Sequence, residues 1–278
     1  VIDKIKGALG LDRIEVAATG SAPISASTQR FFASLGICIY EGYGMSENSG
    51  LATLTDYRKP RFGTVGKPIE GMELRISEDG EILLRGPSNT KGYLRMPEAS
   101  KELYEADGWL KTGDLGGLDE EGNLIITGRI KELIITAGGK NVAPVEMENY
   151  IKTIVGVGNA VVVGDRQPFL CALITLDPEA LDRLASAAGV AKAPLAELAA
   201  NKKVRAYLEQ KIESECNRKV ARYQTIKKIE VLPHEFSVEG GELTATMKIK
   251  RNVVATKYAD VISRFYAAGT TRPEDSHA

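Results

Sequence analysis

The chain has 278 residues, 43% of them hydrophobic and 26% charged, the balance of a globular chain able to build a core. Its net charge is −1, from 36 Lys+Arg against 37 Asp+Glu, so no global field draws it toward nucleic acid or a membrane surface. Cys38, Cys171 and Cys216 are an odd, scattered set, which excludes a disulfide framework or zinc site and points to a reducing cytoplasm.

No signal peptide is visible, and no apolar run reaches the roughly 20 residues that span a bilayer. The length allows one large domain or two ordinary ones, and a start at Val1 instead of methionine fits a piece of a longer protein.

Residues 1–50 alternate helix and strand signals. Leu11–Ala18 ends in a short apolar strand and Thr19–Pro23 (TGSAP) reads as a turn. Ile24–Ser34 reads as a helix, and Ile37–Tyr40 as a buried strand entering a glycine-rich turn. Residues 51–128 differ. Short strands such as Glu73–Ile76 and Glu81–Arg85 are punctuated by Asp79-Gly80, Asp107-Gly108 and Glu121-Gly122, which predicts a β-rich, barrel-like subdomain.

From Lys131 the pattern changes again. Leu133–Thr136 and Ala160–Val163 read as strands and Val145–Thr153 as a helix. The alanine-rich stretch 180–200 reads as a surface helix pair, with Pro194 opening a helix. From Asn201 a longer helix carries Val204, Leu208, Ile212, Cys216 and Val220 four apart, a core-facing stripe. Ile229–Leu232 returns to strand, and the polar tail 269–278 is expected to fray.

Several motifs come close and fail. Gly42–Glu47 begins like a dinucleotide fingerprint but ends in Glu, and Gly156-Val157-Gly158 precedes a strand where the fingerprint follows one. Gly63–Lys67 is too short for a phosphate loop and runs into Pro68. Ser46 lacks the glycine of a nucleophile elbow, and only His234 and His277 could act as a triad base, which leaves a hydrolase weakly supported.

Tyr40–Glu47 (YEGYGMSE) suits a nucleotide better. Gly42 and Gly44 let backbone turn and approach a ligand, and Tyr43 offers a face for a base. Ser46 offers a hydroxyl for phosphate and Glu47 a hard oxygen for magnesium. Taken alone, the segment reads first as a plain turn with a core tyrosine and only second as a nucleotide site. Trp109–Leu115 (WLKTGDL) places Asp114 after a glycine at a strand end, where a carboxylate can accept ribose hydroxyls. Gly128–Asn141 (GRIKELIITAGGKN) adds Arg129 and the Gly138-Gly139 turn, and Leu243–Arg251 (LTATMKIKR) carries Lys248. Their plain alternatives are a turn aspartate, a surface ion pair and a basic edge strand.

In order and spacing these segments resemble the adenylate-forming superfamily of acyl-CoA synthetases, luciferases and peptide-synthetase adenylation domains, from about Thr19 to Arg251. The GRIKELIITAGGKNVAPVEME stretch resembles long-chain and bubblegum-type fatty acid–CoA ligases. The resemblance implies an α/β and α+β fold. Residues 1–130 would close a large nucleotide-binding domain (α/β segment plus barrel-like part, about 51–128), and 131–268 would form a small, mobile α+β domain. It implies ATP-dependent formation of acyl-AMP and pyrophosphate, then transfer of the acyl group to CoA.

By the same resemblance Gly20, Ala22 and Pro23 flank the adenine, Tyr43 stacks on it beside Gly44, and Ser46 contacts phosphate. Glu47 holds magnesium in a catalytic role, and Asp114 and Arg129 clamp the ribose. Lys131 is the hinge, Lys248 the mobile catalytic lysine, and Gly138 and Gly139 line the pantetheine tunnel.

Met247 stands where many relatives have glycine, in wording that fits long-chain members. The family's Ser/Thr/Gly-rich phosphate loop and most of the acyl pocket have no counterpart here, so the chain alone is expected to show little or no ligase activity. Acyl length is left open. An amino-acid or aryl-acid adenylation module and a non-catalytic nucleotide- or CoA-binding protein are the competing readings. Lys202, Lys203, Lys227 and Lys228 read first as solvated charges and second as contacts for the CoA phosphates. A peripheral membrane contact of the parent enzyme is a further expectation, because long-chain substrates partition into bilayers.

Overall fold

The computed structural model describes residues 1–21 and 24–267, so Ala22, Pro23 and the tail expected from 269 lie outside the described residues. The chain divides into two compact units, Val1–Lys131 and Glu132–Ala278.

The first unit opens with α1 (Ile2–Ala8), which buries no residue. β1 (Ala17–Thr19) pairs in parallel with β2 (Ile39–Tyr43), and α2 (Ala26–Ser34) makes the crossover that a parallel pair requires. Ser25 caps α2 by accepting from the Thr28 backbone at 3.1 Å, which is why the helix starts two residues later than apolar content alone predicts. β3 (Thr53–Leu54) and β4 (Lys67–Pro68) extend this sheet antiparallel.

β5 (Glu73–Ile76), β6 (Glu81–Arg85), β7 (Leu110–Leu118) and β8 (Leu124–Arg129) then form an antiparallel meander, with α3 (Pro97–Glu102) between β6 and β7. Leu124 exchanges two backbone bonds of 2.8 Å with Val65 and Gly66, tying β8 to the segment that leads into β4. That tie curls the two sheets over one core, built around Tyr43, Met72, Ile82, Leu84, Leu110 and Leu124.

The second unit begins with a short hairpin of β9 (Ile134–Ile135) and β10 (Asn141–Val142), followed by α4 (Pro144–Lys152). Its sheet has the order β11 (Val157–Val163), β12 (Leu170–Leu176), β13 (Ile226–Val231). Every residue of β12 is buried, because both faces of the sheet are covered. Leu170, Ala172, Ile174 and Leu176 point into one apolar cluster, and Cys171 and Leu173 into another, as the two-residue period of a strand demands.

The first cluster is roofed by α4, α5 (Leu181–Ala187), α6 (Leu195–Ala200) and α7 (Lys202–Glu215), and α5 to α7 make the crossover from β12 to the parallel β13. The second packs Leu232, Phe236 and Leu243 against α8 (Arg251–Lys257) and α9 (Ala259–Ala267).

Three expectations need correction. The alanine-rich pair α5 and α6 is not purely superficial, since Leu184, Ala185 and Leu198 are core residues. Pro194 precedes its helix as the cap and is not its first residue. The stripe of α7 ends at Cys216, with Val220 beyond the helix. There the Asn217 side chain pairs with both backbone groups of Ile226, at 3.0 and 2.8 Å, and so competes with helix continuation. Cys171 and Cys216 are buried free thiols, pushed up by burial to about 11 and about 12, which suits packing and not reactivity.

Candidate active site

Strand β2 delivers the first group of candidate residues. It runs through Gly42 to Tyr43, so Gly42 is a strand residue and the turn starts only after it. A Cβ on Gly44 would lie 2.4 Å from the Gly50 carbonyl oxygen, so glycine is needed here for a close approach of the chain to itself. Ser46 and Glu47 then fall in a single 3₁₀ turn, Ser46–Asn48, with Ser46 exposed and Glu47 half-buried.

Tyr43 is buried in the apolar cluster, and its hydroxyl donates to Asp114 Oδ2 at 2.8 Å. Arg129 Nε donates to the other oxygen, Oδ1, at 2.6 Å. Asp114 and Arg129 are cross-strand partners on β7 and β8, so sheet register alone brings them together. Asp114 lies in the middle of a nine-residue strand, not at a strand end as the sequence suggests. Its backbone N–H donates to Thr112 Oγ1 at 3.0 Å. Burial first, and the Asp114 carboxylate second, push the Tyr43 phenol above its ordinary range, so it stays a donor.

Glu47 Oε1 accepts from the Tyr93 hydroxyl at 2.7 Å, and its carbonyl accepts from the Thr90 N–H at 2.6 Å. Among the described residues no group of three or more His, Cys, Asp or Glu could hold a metal. One carboxylate beside an exposed hydroxyl fits magnesium, which keeps its waters and binds through one or two carboxylates plus substrate phosphates.

Gly20 lies at the end of β1, where a Cβ would sit 3.2 Å from the Gly42 carbonyl oxygen. Ile24 and α2 are tied to β2 by Glu41, which sequence reasoning passed over. Glu41 is buried and accepts from the Ile24 N–H at 3.3 Å and from Gln29 Nε2 at 3.0 Å. Burial raises its carboxyl, and those two bonds oppose the rise. A carboxylate inside an apolar strand was the available signal for it. Tyr93 was also passed over, and nothing local in its sequence announces a partner at Glu47.

Lys131 closes the first unit, exposed, in the 3₁₀ turn Ile130–Glu132. Gly138 and Gly139 form the exposed tip between β9 and β10. Gly139 has φ +71° and needs to be glycine for that reason; Gly138 has neither a positive φ nor a neighbour closer than Thr136 Oγ1 at 4.0 Å.

Lys248 is exposed on a tight turn whose arms are bridged at Leu243 and Ile249. Met247 N–H donates to the Thr244 carbonyl and Thr244 N–H to the Lys248 carbonyl, both at 2.8 Å. Met247 takes φ +61°, a left-handed position that a methionine occupies at some strain. Lys202, Lys203, Lys227 and Lys228 lie on α7 and β13.

The family model described as AMP-binding enzyme matches residues 4–94, and that of the AMP-binding enzyme C-terminal domain matches 131–270. The long-chain-fatty-acid–CoA ligase FadD15 of Mycobacterium tuberculosis is 44% identical over 270 residues, 96% of this chain and 44% of that protein. The long-chain-fatty-acid–CoA ligase ACSBG2 of Gallus gallus is 43% identical over 98% of this chain and 38% of its own length. The solved structure of ATP-bound MatB from Rhodopseudomonas palustris aligns with TM-score 0.67 at 28% identity, over 90% of this chain and 47% of that one. The chain thus spans less than half the length of these relatives.

Proposed function

The chain belongs to the AMP-binding enzyme family, and from that premise we propose that it is the ATP-handling and mobile part of an AMP-forming, long-chain fatty acid–CoA ligase. The observation that carries the reading is the junction of Tyr43, Asp114 and Arg129, a buried carboxylate held by a phenol and a guanidinium. Its oxygens retain lone pairs for both ribose hydroxyls of ATP, with Arg129 beside them.

In the first half-reaction the fatty acid carboxylate attacks the α-phosphorus of ATP. The bond to the bridging oxygen breaks, and acyl-AMP and pyrophosphate form. Lys248, exposed and cationic on its turn, stabilises the charge that builds on the attacking and phosphate oxygens. Ser46 hydrogen-bonds phosphate. Glu47 holds a magnesium ion, which when bound supplies neutralising charge to the phosphate oxygens. Gly20, Ala22 and Pro23 flank the adenine, and the buried Glu41 holds Ile24 and α2 on β2. Because the Tyr43 ring is buried, we assign it an edge role at the base and the task of orienting Asp114.

In the second half-reaction the CoA thiol, losing its proton, attacks the acyl carbon, and AMP leaves. Gly138 and Gly139 admit the pantetheine arm. The glycine at 138 meets no local packing or backbone demand, which supports that role. Lys131, between the units, absorbs the rotation that exchanges the two half-reactions.

Among the described residues no helix is long and apolar enough to cross a membrane. We place the parent enzyme in the cytoplasm with a peripheral membrane contact for substrate uptake. The test is ATP-dependent consumption of CoA thiol by the parent enzyme and by this chain, with acids from acetate to palmitate. Long-chain activity in the parent and none in the chain alone is expected; a parent inert toward every acid overturns the reading.

A further inference from the structure

Lys248 sits at the tip of a hairpin, and the position of that tip is decided by a residue six positions earlier. The Glu242 carbonyl accepts from the Lys250 N–H at 2.7 Å, and Leu243 bridges Ile249, so residues 242–243 and 249–250 are the two arms. One arm runs covalently into α8. The other is held by the Glu242 side chain, which is 1% exposed. Its Oε1 accepts from Lys257 Nζ at 2.6 Å and from the Tyr258 hydroxyl at 2.9 Å, and its Oε2 from the Ser237 N–H at 3.4 Å. Lys257 and Tyr258 stand at the far end of α8. The His234 ring nitrogen Nε2, 2.8 Å from the Tyr258 hydroxyl, holds that phenol from its other side.

Helix α8 therefore closes on the hairpin at both of its ends. An exposed lysine on an otherwise free loop has many orientations to lose on reaching a transition state; one whose hairpin is locked to a helix has fewer. We propose that Glu242 is the positioning residue for Lys248, fixing through Lys257 and Tyr258 the direction in which the lysine leaves the domain. The inference rests on the reading of Lys248 as the adenylation lysine. It adds that a buried carboxylate sets the aim of that lysine without touching substrate.

The test compares Glu242→Gln, Tyr258→Phe and Lys248→Ala in the parent enzyme. Acid-dependent ATP–pyrophosphate exchange reads the first half-reaction, and thioester formation from supplied acyl-AMP reads the second. Glu242→Gln is expected to lower kcat for exchange about ten- to hundredfold, the scale of a misplaced reacting group. KM for ATP and the second half-reaction should stay near wild type, and Tyr258→Phe should show a smaller loss of the same kind. A purely structural role predicts parallel loss of both half-reactions with a lowered melting temperature, and that result overturns the proposal. If Glu242→Gln does not fold, Tyr258→Phe decides alone, since it removes a single hydroxyl. Exchange abolished in Lys248→Ala but untouched in both other variants sinks this inference only. Exchange intact in Lys248→Ala sinks the reading of Lys248 and the inference with it.

Discussion

The Tyr43 hydroxyl donates to Asp114 Oδ2 at 2.8 Å across a separation of 71 residues, so two candidate site residues from distant segments are one hydrogen-bonded unit. The pair lies inside the first unit, and its donor is buried among apolar side chains.

Tyr43→Phe leaves the ring volume in place and removes one donor from a buried carboxylate. A loss of about 1–3 kcal/mol in stability is expected, with a raised KM for ATP in the parent enzyme. Denaturant unfolding and ATP titration check this; unchanged values in both would show that the bond serves neither purpose.

Arg251 Nη1 donates to Glu148 Oε1 at 2.7 Å, Nη2 pairs with Glu148 Oε2, and Nε donates to Glu132 Oε2 at 3.0 Å. Glu148 is buried and also accepts from the Val162 N–H at 2.7 Å. Arg251→Met strands that carboxylate, at a cost of about 3–5 kcal/mol. The double variant with Glu148→Gln should recover a large part of it. Strict additivity in chemical denaturation would argue against the coupling.

Met247→Gly relaxes the φ of +61° in the Lys248 turn. A gain of roughly 1 kcal/mol is expected from removing the Cβ–carbonyl conflict, partly offset by the greater freedom of glycine in the unfolded chain. A clear fall in melting temperature would contradict this account of the turn.

The carboxyl of Glu242 is held down to about 2 from an ordinary 4.5: burial alone pushes it up, and the bonds from Lys257, the backbone and Tyr258 outweigh it. A depressed carboxylate stabilises the fold fully above its unfolded value and loses that contribution as pH falls through the folded one. Stability should therefore decline between about pH 4.5 and 2, and Glu242→Gln should flatten that slope. Melting temperatures across this range measure it; identical slopes would remove Glu242 as the source.

A Cβ at Gly138→Ala meets nothing closer than Thr136 Oγ1 at 4.0 Å and no special φ, so stability should change by less than about 0.5 kcal/mol. In the parent enzyme, thioester formation should fall while adenylation holds. Wild-type thioester formation would place the pantetheine path elsewhere.

Much was legible before any coordinates. Helix and strand signals placed α2, α4 and the strands around them, and hydrophobic periodicity placed the buried face of α7, because burial of one face is a local constraint written at fixed spacing. The motif order around Tyr43, Asp114, Arg129 and Lys248 pointed to the family, since each segment keeps its chemistry in a few adjacent residues. Where local signals misled, at Gly42, at Val220 and in the alanine-rich pair, a tertiary partner decided: β3 beside Gly42, Ile226 for Asn217, the core under Leu184 and Leu198.

The sequence by itself determined which segments are helices and strands and which residue types stand ready for a nucleotide, because propensity, periodicity and motif spacing act over a few residues. Only the tertiary structure decided that the Tyr43 hydroxyl bonds Asp114 from the core and that Glu41 ties Ile24 and α2 to β2. It also decided that Glu242 locks the Lys248 hairpin to the far end of α8. Those are hydrogen bonds of buried groups, and a buried carboxylate acquires its partners from whatever the fold brings beside it.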